Sequence, residues 1–162
     1  GDTVNYSIGQ GYVLMTPLQV LRAYAALANG GKLLKPRLNT ASAVESVPLD
    51  ISPEVLKLIQ SGVQEVTRSG TGRRASSFGV KVAGKTGTAQ NSHGDDHAWF
   101  VGYAPADNPK YAVVAIAEAG KGGAAVTGPI VGKMLNFLIN GKKYTEPKPA
   151  EEAKTPAAQT GT

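Results

Sequence analysis

A short run of small and polar residues, Gly84-Lys85-Thr86-Gly87-Thr88, carries the residue types that bind and stabilise a negative charge. Lys85 supplies a positive charge, while Thr86 and Thr88 supply hydroxyl groups and backbone N–H donors. Gly84 and Gly87 remove side chains that would keep a ligand away from the backbone. The pattern therefore predicts a site for a carboxylate or a developing oxyanion.

The same run also fits a phosphate-binding loop. Residues 79–86 read G-x-x-x-x-G-K-T, a motif that binds phosphate where the loop follows a strand and leads directly into a helix. Here residues 80–83 themselves have the pattern of a strand, and no helical period follows Thr86. The nucleotide-binding interpretation is therefore disfavoured. An ordinary strand that ends in a turn remains an alternative from this stretch alone.

Two other clusters contain residue types that bind ligands. Arg73 and Arg74 either contact an anion or form a solvated surface, which is the commoner role for such a pair. The second cluster lies in a predicted turn between strands and raises the question of a metal site, although its spacing matches no established metal-binding pattern. Its members are His93, Asp95, Asp96 and His97.

The composition limits the classes of protein to which the chain can belong. The 162 residues allow one domain, with 41% hydrophobic residues for a core and no cysteine for a disulfide or a thiolate–metal site. The formal net charge of +5 comes without a basic run typical of nucleic-acid binding. No apolar stretch is long enough for a membrane span, and residues 1–3 do not resemble a signal peptide. We expect the chain to be part of a longer protein.

Periodicity predicts the elements that position the polar run. A capping box at Thr16 and Gln19 begins one helix, which ends at Gly30, and a second helix runs from Ser52 to a stop at Gly70. Strands beginning at residue 80 and covering 97–104 and 111–119 are joined by short turns, which predicts an antiparallel meander. A last helix ends at Gly141 with an expected buried stripe of Ile130, Val131, Met134, Leu135, Leu138 and Ile139.

The domain is expected to end at the last helix. Residues 142–162 consist mostly of Pro, Ala, Lys, Glu and Thr, and such a segment buries too little apolar surface to offset its ordering entropy. We therefore predict one domain over residues 1–141 and a disordered tail over 142–162.

Three blocks along the chain resemble the motifs of class B penicillin-binding proteins. The first block has two segments, Ser-Ile-Gly-Gln-Gly-Tyr at 7–12 and Thr-Pro-Leu-Gln at 16–19. The second block is Lys-Thr-Gly-Thr-Ala-Gln at 85–90, and the third is His-Ala-Trp-Phe-Val-Gly-Tyr-Ala-Pro at 97–105. Serine β-lactamases share the Lys-Thr-Gly element but lack the Ala-Gln and Trp-Phe-Val-Gly-Tyr blocks. The resemblance covers about residues 1–140 and favours the elongation type, penicillin-binding protein 2.

The resemblance implies a fold and a reaction. The fold is α+β, the C-terminal part of the β-lactamase/transpeptidase-like fold, and this chain would supply three of the five strands of its antiparallel sheet. The reaction is that of a peptidoglycan D,D-transpeptidase, whose serine attacks the D-alanyl-D-alanine end of a stem peptide and is acylated by β-lactams. No metal or organic cofactor is implied. By the third motif, Lys85 and Thr88 are catalytic, and Thr86, Gly87, Ala89 and Gln90 bind substrate.

The sequence departs from the family pattern in one respect. No Ser is followed three residues later by Lys, and no Ser-x-Asn or Ser-x-Asp occurs. In the family both motifs lie upstream of the Ser-Ile-Gly-Gln block. We therefore expect this chain to be the C-terminal part of the transpeptidase domain and to be inactive alone. A non-catalytic module that binds wall peptide and an interaction fragment remain alternatives.

The resemblance also implies partners and a location. The partners are peptidoglycan stem peptides, β-lactam antibiotics, the upstream part of the same protein and a glycan polymerase of the wall-synthesis complex, with no nucleic acid. The location is extracytoplasmic, on the periplasmic side, with an anchor to the cytoplasmic membrane through a helix upstream of this chain.

Overall fold

The computed structural model describes residues 2–122 and 124–141, so the tail predicted at 142–162 lies outside the described residues. The helices are α1 (Asp2–Ser7), α2 (Pro17–Ala28), α3 (Pro53–Arg68) and α4 (Thr127–Asn140), with a 3₁₀ turn at Arg73–Ser76. The strands are β1 (Lys32–Leu34), β2 (Ser46–Pro48), β3 (Ala83–Ala89), β4 (His97–Ala104) and β5 (Tyr111–Ala117). None of the described helices is long and apolar enough to cross a membrane.

The central sheet is an antiparallel meander in the order β3-β4-β5, as the sequence predicts. Two strand boundaries differ from the prediction. The first strand begins at Ala83 and not at residue 80, because the backbone of Val82 bonds to the side chains of Thr67 and Ser76. The strand is therefore the Gly-Lys-Thr-Gly-Thr run itself. β5 ends at residue 117 and not at 119, since Ala119 has a left-handed φ of 51°.

Both faces of the sheet are covered by helices. On one face, Phe100 of β4 packs with Val131 and Leu135 of α4 in a buried cluster that also includes Val82. On the other face, Tyr103 lies in a second cluster with Val63 of α3, and Tyr24 and Ala28 of α2 pack against it. The apolar area that these clusters remove from water is the main stabilising contribution to the fold. β3 therefore lies in a sheet that is fixed from both sides.

The helices begin and end where the sequence signals place them. Thr16 and Gln19 form the expected capping box of α2, and Gly141 ends α4 in a left-handed conformation. Of the stripe predicted for α4, Val131 and Leu135 are fully buried and Ile139 is partly buried. In α4 the buried side carries Gly132, where a Cβ would lie 2.2 Å from the Ala75 carbonyl oxygen. The inward side of α4 therefore needs this glycine beside its large buried side chains, while part of the predicted stripe is exposed, namely Ile130, Met134 and Leu138.

Three short elements were not predicted. They are α1, strand β2, which pairs antiparallel with β1, and the 3₁₀ turn at Arg73–Ser76. Each spans too few residues for its periodicity to be read from the sequence. The 3₁₀ turn is nevertheless firmly packed, because its Ala75 is fully buried.

Candidate active site

β3 carries all but the last of the residues assigned to the site, and Gln90 follows immediately after the strand. Because side chains alternate along a strand, Lys85 and Gly87 face one side of the sheet and Thr86 the other. On β4, Trp99 lies opposite Gly87 in the register. The predicted residues are thus brought together by a single edge strand of the described sheet.

An open cavity of about 450 Å³ borders this strand. Its volume lies in the range of small-ligand sites. Residues 85–89 form one wall with Trp99, residues 8–10 lie across from them, and Tyr24 of α2 also lines the space. The other lining residues are Val13, Met15, Val20 and Val101. Gln90 is exposed and does not line the cavity.

The free edge of β3 presents backbone groups to this cavity. The carbonyl oxygen of Thr88 accepts a hydrogen bond from Gln10 Nε2 at 3.1 Å, and that of Thr86 accepts one from Lys85 Nζ at 2.9 Å. Side chains reach these two oxygens because alternate residues of an edge strand direct their backbone groups away from the neighbouring strand. The N–H groups of Thr86 and Thr88 point to the same edge as their carbonyls. A ligand in the cavity therefore meets backbone donors as well as the Lys85 ammonium.

The Thr86 hydroxyl has a partner from outside the sheet. Thr71 follows α3, and its Oγ1 lies 2.8 Å from Thr86 Oγ1 in a contact in which either hydroxyl can donate. A hydroxyl has one donor and two acceptor positions. When Thr71 donates, the proton of Thr86 remains available for a ligand. Thr71 thus orients a residue of the site without lining the cavity.

The two glycines of the run have different roles from each other. Gly84 is buried, and a Cβ there would lie 2.4 Å from the Val101 carbonyl oxygen. Packing of β3 on β4 therefore requires this glycine, and the ligand-access role predicted for it is wrong. Gly87 does line the cavity, where a Cβ would lie 3.1 Å from Trp99 Cβ.

Nine of the lining residues were not assigned to the site from the sequence, and three of them carry polar or aromatic groups: Gln10, Tyr24 and Trp99. Gln10 and Trp99 belong to the blocks that carry the resemblance, but the pattern gave no sign of their contacts. Nothing in the sequence of α2 indicated that Tyr24 would line a ligand cavity. Burial raises the pKa of Tyr24 above its ordinary value of 10.0, and burial together with the nearby Tyr24 raises the pKa of Tyr103. Both phenols are therefore neutral at pH 7.

The alternative chemistries find no support in the described part of the chain. A strand and not a helix contains Thr86 and the residues after it, which contradicts the phosphate-loop interpretation. Within residues 2–122 and 124–141, no group of three His, Cys, Asp or Glu side chains is placed to hold a metal ion. In the cluster considered for a metal, His97 Nδ1 accepts from the Ala119 N–H at 3.1 Å, and Asp95 pairs with Lys121 at 3.7 Å.

Known proteins are similar to this chain in sequence and fold. The family model named penicillin binding protein transpeptidase domain matches residues 1–136 of the sequence. The peptidoglycan D,D-transpeptidase MrdA of Haemophilus influenzae is 36% identical over 171 positions, which cover 86% of this chain and 26% of that protein. The Helicobacter pylori penicillin-binding protein PBP2, solved in complex with MreC, is 34% identical with a TM-score of 0.73, over 86% of this chain and 27% of that one.

A further solved structure is a ceftriaxone acyl-enzyme complex of penicillin-binding protein A from Mycobacterium tuberculosis. It is 29% identical with a TM-score of 0.72, over 79% of this chain and 33% of that one. The chain therefore belongs to the penicillin-binding protein transpeptidase family. Its relatives named MrdA and PBP2 confirm the resemblance to penicillin-binding protein 2, and the transpeptidase neighbours confirm the α+β fold. The chain spans only 26% of the length of the Haemophilus influenzae MrdA protein.

Proposed function

We propose that this chain forms one wall of the active site of a serine D,D-transpeptidase, which cross-links peptidoglycan stem peptides. The observation that carries the proposal is the free edge of β3, where Lys85 and the outward backbone groups of Thr86 and Thr88 border a ligand-sized cavity. Membership of the penicillin-binding protein transpeptidase family supports the same reaction. The nucleophilic serine is assigned to a part of the protein outside these 162 residues, since the chain contains no Ser-x-x-Lys.

Lys85 and Thr86 are proposed to hold the terminal carboxylate of the substrate. Among the described residues, the exposed Lys85 ammonium bonds only to a neutral backbone oxygen in its own strand, so a carboxylate can replace that acceptor with a charge-assisted bond. The Thr86 hydroxyl, with Thr71 as its donor, can give a second bond to the same carboxylate. Lys85 also supports proton transfer at the serine. These residues fix the dipeptide end against β3.

Thr88 is proposed to stabilise the oxyanion through its backbone N–H, which points to the free edge of β3. Removing one such donor typically lowers the rate by about 10²- to 10³-fold. Gly87 and Ala89 continue the substrate-facing strand and line the cavity, whereas Gln90 lies beyond it. A contact between Gln90 and substrate is therefore proposed only for a peptide that extends past the cavity.

The proposed reaction proceeds in two acyl-transfer steps. The serine Oγ bonds to the carbonyl carbon of the penultimate D-alanine, the peptide bond breaks, and the leaving D-alanine takes up a proton at its nitrogen. An amine of a neighbouring stem peptide then attacks the ester carbon, and the bond from that carbon to the serine Oγ breaks. The new amide bond is the cross-link, and the serine Oγ takes up the proton that the amine gives up. A β-lactam completes the first step only. Its ring C–N bond breaks, but the freed amine stays attached to the acyl group and keeps the amine of a neighbouring stem peptide from the ester.

The complete protein is proposed to act outside the cytoplasm, on the periplasmic side of the membrane, with an anchoring helix upstream of this chain. Its proposed partners are a protein of the kind represented by MreC, with which the Helicobacter pylori PBP2 was solved, and a glycan polymerase. No nucleic-acid partner is proposed, because the chain has no basic run of the required kind.

Labelled penicillin tests this function. In the complete protein we expect one covalent penicilloyl adduct, detected by intact-mass measurement and located by peptide mapping on a serine outside the 162 residues. The 162-residue chain, treated in the same way, should gain no mass. An adduct on a serine of this chain would show that the nucleophile was misplaced. Reversible binding of wall peptide by the complete protein, without any adduct, would favour the non-catalytic binding module.

A further inference from the structure

A second cavity, of about 560 Å³, lies at the other end of the same strand. It shares no lining residue with the candidate active site. Its walls come from α3, the 3₁₀ turn and the turn after β4, and Val80 and Val82 lie between them. The proposed transpeptidase reaction does not use this space.

Hydrogen bonds between side chains and backbone fix the walls of this cavity. Thr67 of α3 donates to the Val82 carbonyl, and Ser76 Oγ accepts from the Val82 N–H at 3.3 Å. On the opposite side, Gln64 Nε2 donates to the Ala106 carbonyl at 3.3 Å, and the Ala106 N–H donates to the Lys81 carbonyl at 2.9 Å. A cavity whose walls are tied together in this way is largely formed before a ligand arrives, which reduces the ordering entropy of binding.

The charge around the cavity is mainly positive. Arg68, Arg73 and Lys81 line it together with a single carboxylate, Asp107. Lys81 lies 3.5 Å from Asp107, and Arg68 pairs with Glu65 on its own helix at 2.6 Å. Among the described residues, Arg73 has no carboxylate partner. Arg73 is therefore the cation with the most freedom to bind an anion.

The remaining groups define what kind of anion fits. Ser76 uses an acceptor position for the Val82 N–H, so its own hydroxyl proton remains available to a ligand, and Ser77 lies beside it. The inner surface is apolar, because the buried side chains of Val80, Val82 and Ala106 line it. A cationic and hydroxyl-bearing rim around an apolar interior matches a molecule with one charged end and an apolar body.

From this arrangement we infer that the cavity binds a small soluble amphiphilic anion, a phosphate or carboxylate group on an apolar body, with Arg73 as the principal cation. Arg73 forms the charge-assisted bonds, Ser76 donates from the adjacent wall, and the apolar body lies against Val80 and Val82. The sequence did not distinguish Arg73 from Arg74 as a possible anion contact. In the structure the two residues differ, because Arg73 lines the cavity and Arg74 does not.

Calorimetric titration of the complete protein with hexyl phosphate at 0.15 M salt tests the inference, since this salt screens diffuse surface attraction. We expect saturable binding to one site, with hexanoate binding in competition and neutral hexanol at least tenfold weaker. Arg73→Gln should weaken binding at least fivefold. Arg74→Gln, which removes the same charge from the next residue, should leave it unchanged, as should Lys85→Gln in the other cavity.

Several results would overturn the inference. Equal losses in the Arg73 and Arg74 variants would mean attraction by general surface charge, and a loss in Lys85→Gln would mean binding in the candidate active site. Inorganic phosphate binding as tightly as hexyl phosphate would contradict the apolar body. If the complete protein reacts with penicillin but shows no saturable binding of hexyl phosphate, the inferred anion site is wrong. The proposed transpeptidase function would be unaffected by that result.

Discussion

The side chain of Gln10 donates a hydrogen bond of 3.1 Å to the backbone oxygen of Thr88, a residue 78 positions further along the chain. This bond joins two of the blocks by which the sequence resembles penicillin-binding proteins. It also ties the segment that forms one wall of the candidate active site to the strand that forms the other wall. The distance between the two walls therefore depends on a side chain for which the sequence suggested no role.

Gln10→Ala should lower the rate of acylation by penicillin in the complete protein. Without the bond, the segment at residues 8–10 is free to shift relative to β3. We expect a loss of about 10-fold, less than the 10²-fold that a displacement of about 1 Å in an active site can cause. Stopped-flow acylation with a fluorescent penicillin measures this rate. A faster reaction in the variant would mean that Gln10 competes with substrate for Thr88.

Thr71→Val should weaken the binding of penicillin more than it slows the acylation step. Thr71 does not line the cavity, but its hydroxyl lies 2.8 Å from that of Thr86, so it acts by positioning. We expect the dissociation constant of the pre-covalent complex to rise about 5-fold, in line with the loss of a net hydrogen-bond contribution of about 1 kcal/mol. Thr71→Ser keeps the hydroxyl and should restore binding. An effect confined to the acylation step would contradict this role.

Two glycines within helices should respond in opposite directions to substitution by alanine. A Cβ on Gly132 would lie 2.2 Å from the Ala75 carbonyl oxygen, so Gly132→Ala should reduce the free energy of unfolding by about 1–3 kcal/mol or more. Gly62 has no atom within 4 Å of the same position, so Gly62→Ala should increase it by up to about 1 kcal/mol. Urea unfolding measures both changes. Equal changes in the free energy of unfolding in the two variants would show that α4 does not pack closely on the 3₁₀ turn.

The free energy of unfolding should fall as the pH rises above about 10. Burial raises the pKa values of Tyr24 and Tyr103 from an ordinary 10.0, so the folded state holds these phenol protons more tightly than the unfolded chain does. The resulting stability is fully present below pH 10 and is lost as the pH rises through the higher folded-state pKa values. Tyr24→Phe should make the decline shallower. An unchanged pH profile in this variant would contradict the assignment.

The antiparallel meander and the helix ends were predictable because each depends on local signals. The capping residue Thr16 and the left-handed Gly141 act within a few residues of their own position. The pairs that define the site were not predictable in this way. The contact of Gln10 with Thr88 and that of Thr71 with Thr86 join residues that only the folded chain brings together. The Lys-Thr-Gly tripeptide can indicate which ligand groups its strand binds. It does not indicate which residues form the opposite wall of the cavity.

The inward side of α4 shows a related limit. Counting large apolar residues selected Ile130 and Met134, which are about half exposed at 50% and 47%. The close approach of the 3₁₀ turn instead selects Gly132, because only a residue without a Cβ fits beside Ala75. Hydrophobic periodicity finds a helix more reliably than it finds the helix side that packs most closely.

The acylation rate of the Lys85→Ala variant of the complete protein tests the central claim most directly. Lys85 is exposed and bonds to Thr86 of its own strand, so its removal should leave the melting temperature within a few degrees of the parent. Lys57→Ala, which removes an exposed lysine of α3 outside the cavity, is the matched control. We predict that Lys85→Ala lowers the acylation rate about 10²-fold or more while Lys57→Ala leaves it unchanged. Equal acylation rates in Lys85→Ala and the parent would contradict the claim that this edge of β3 takes part in acyl transfer.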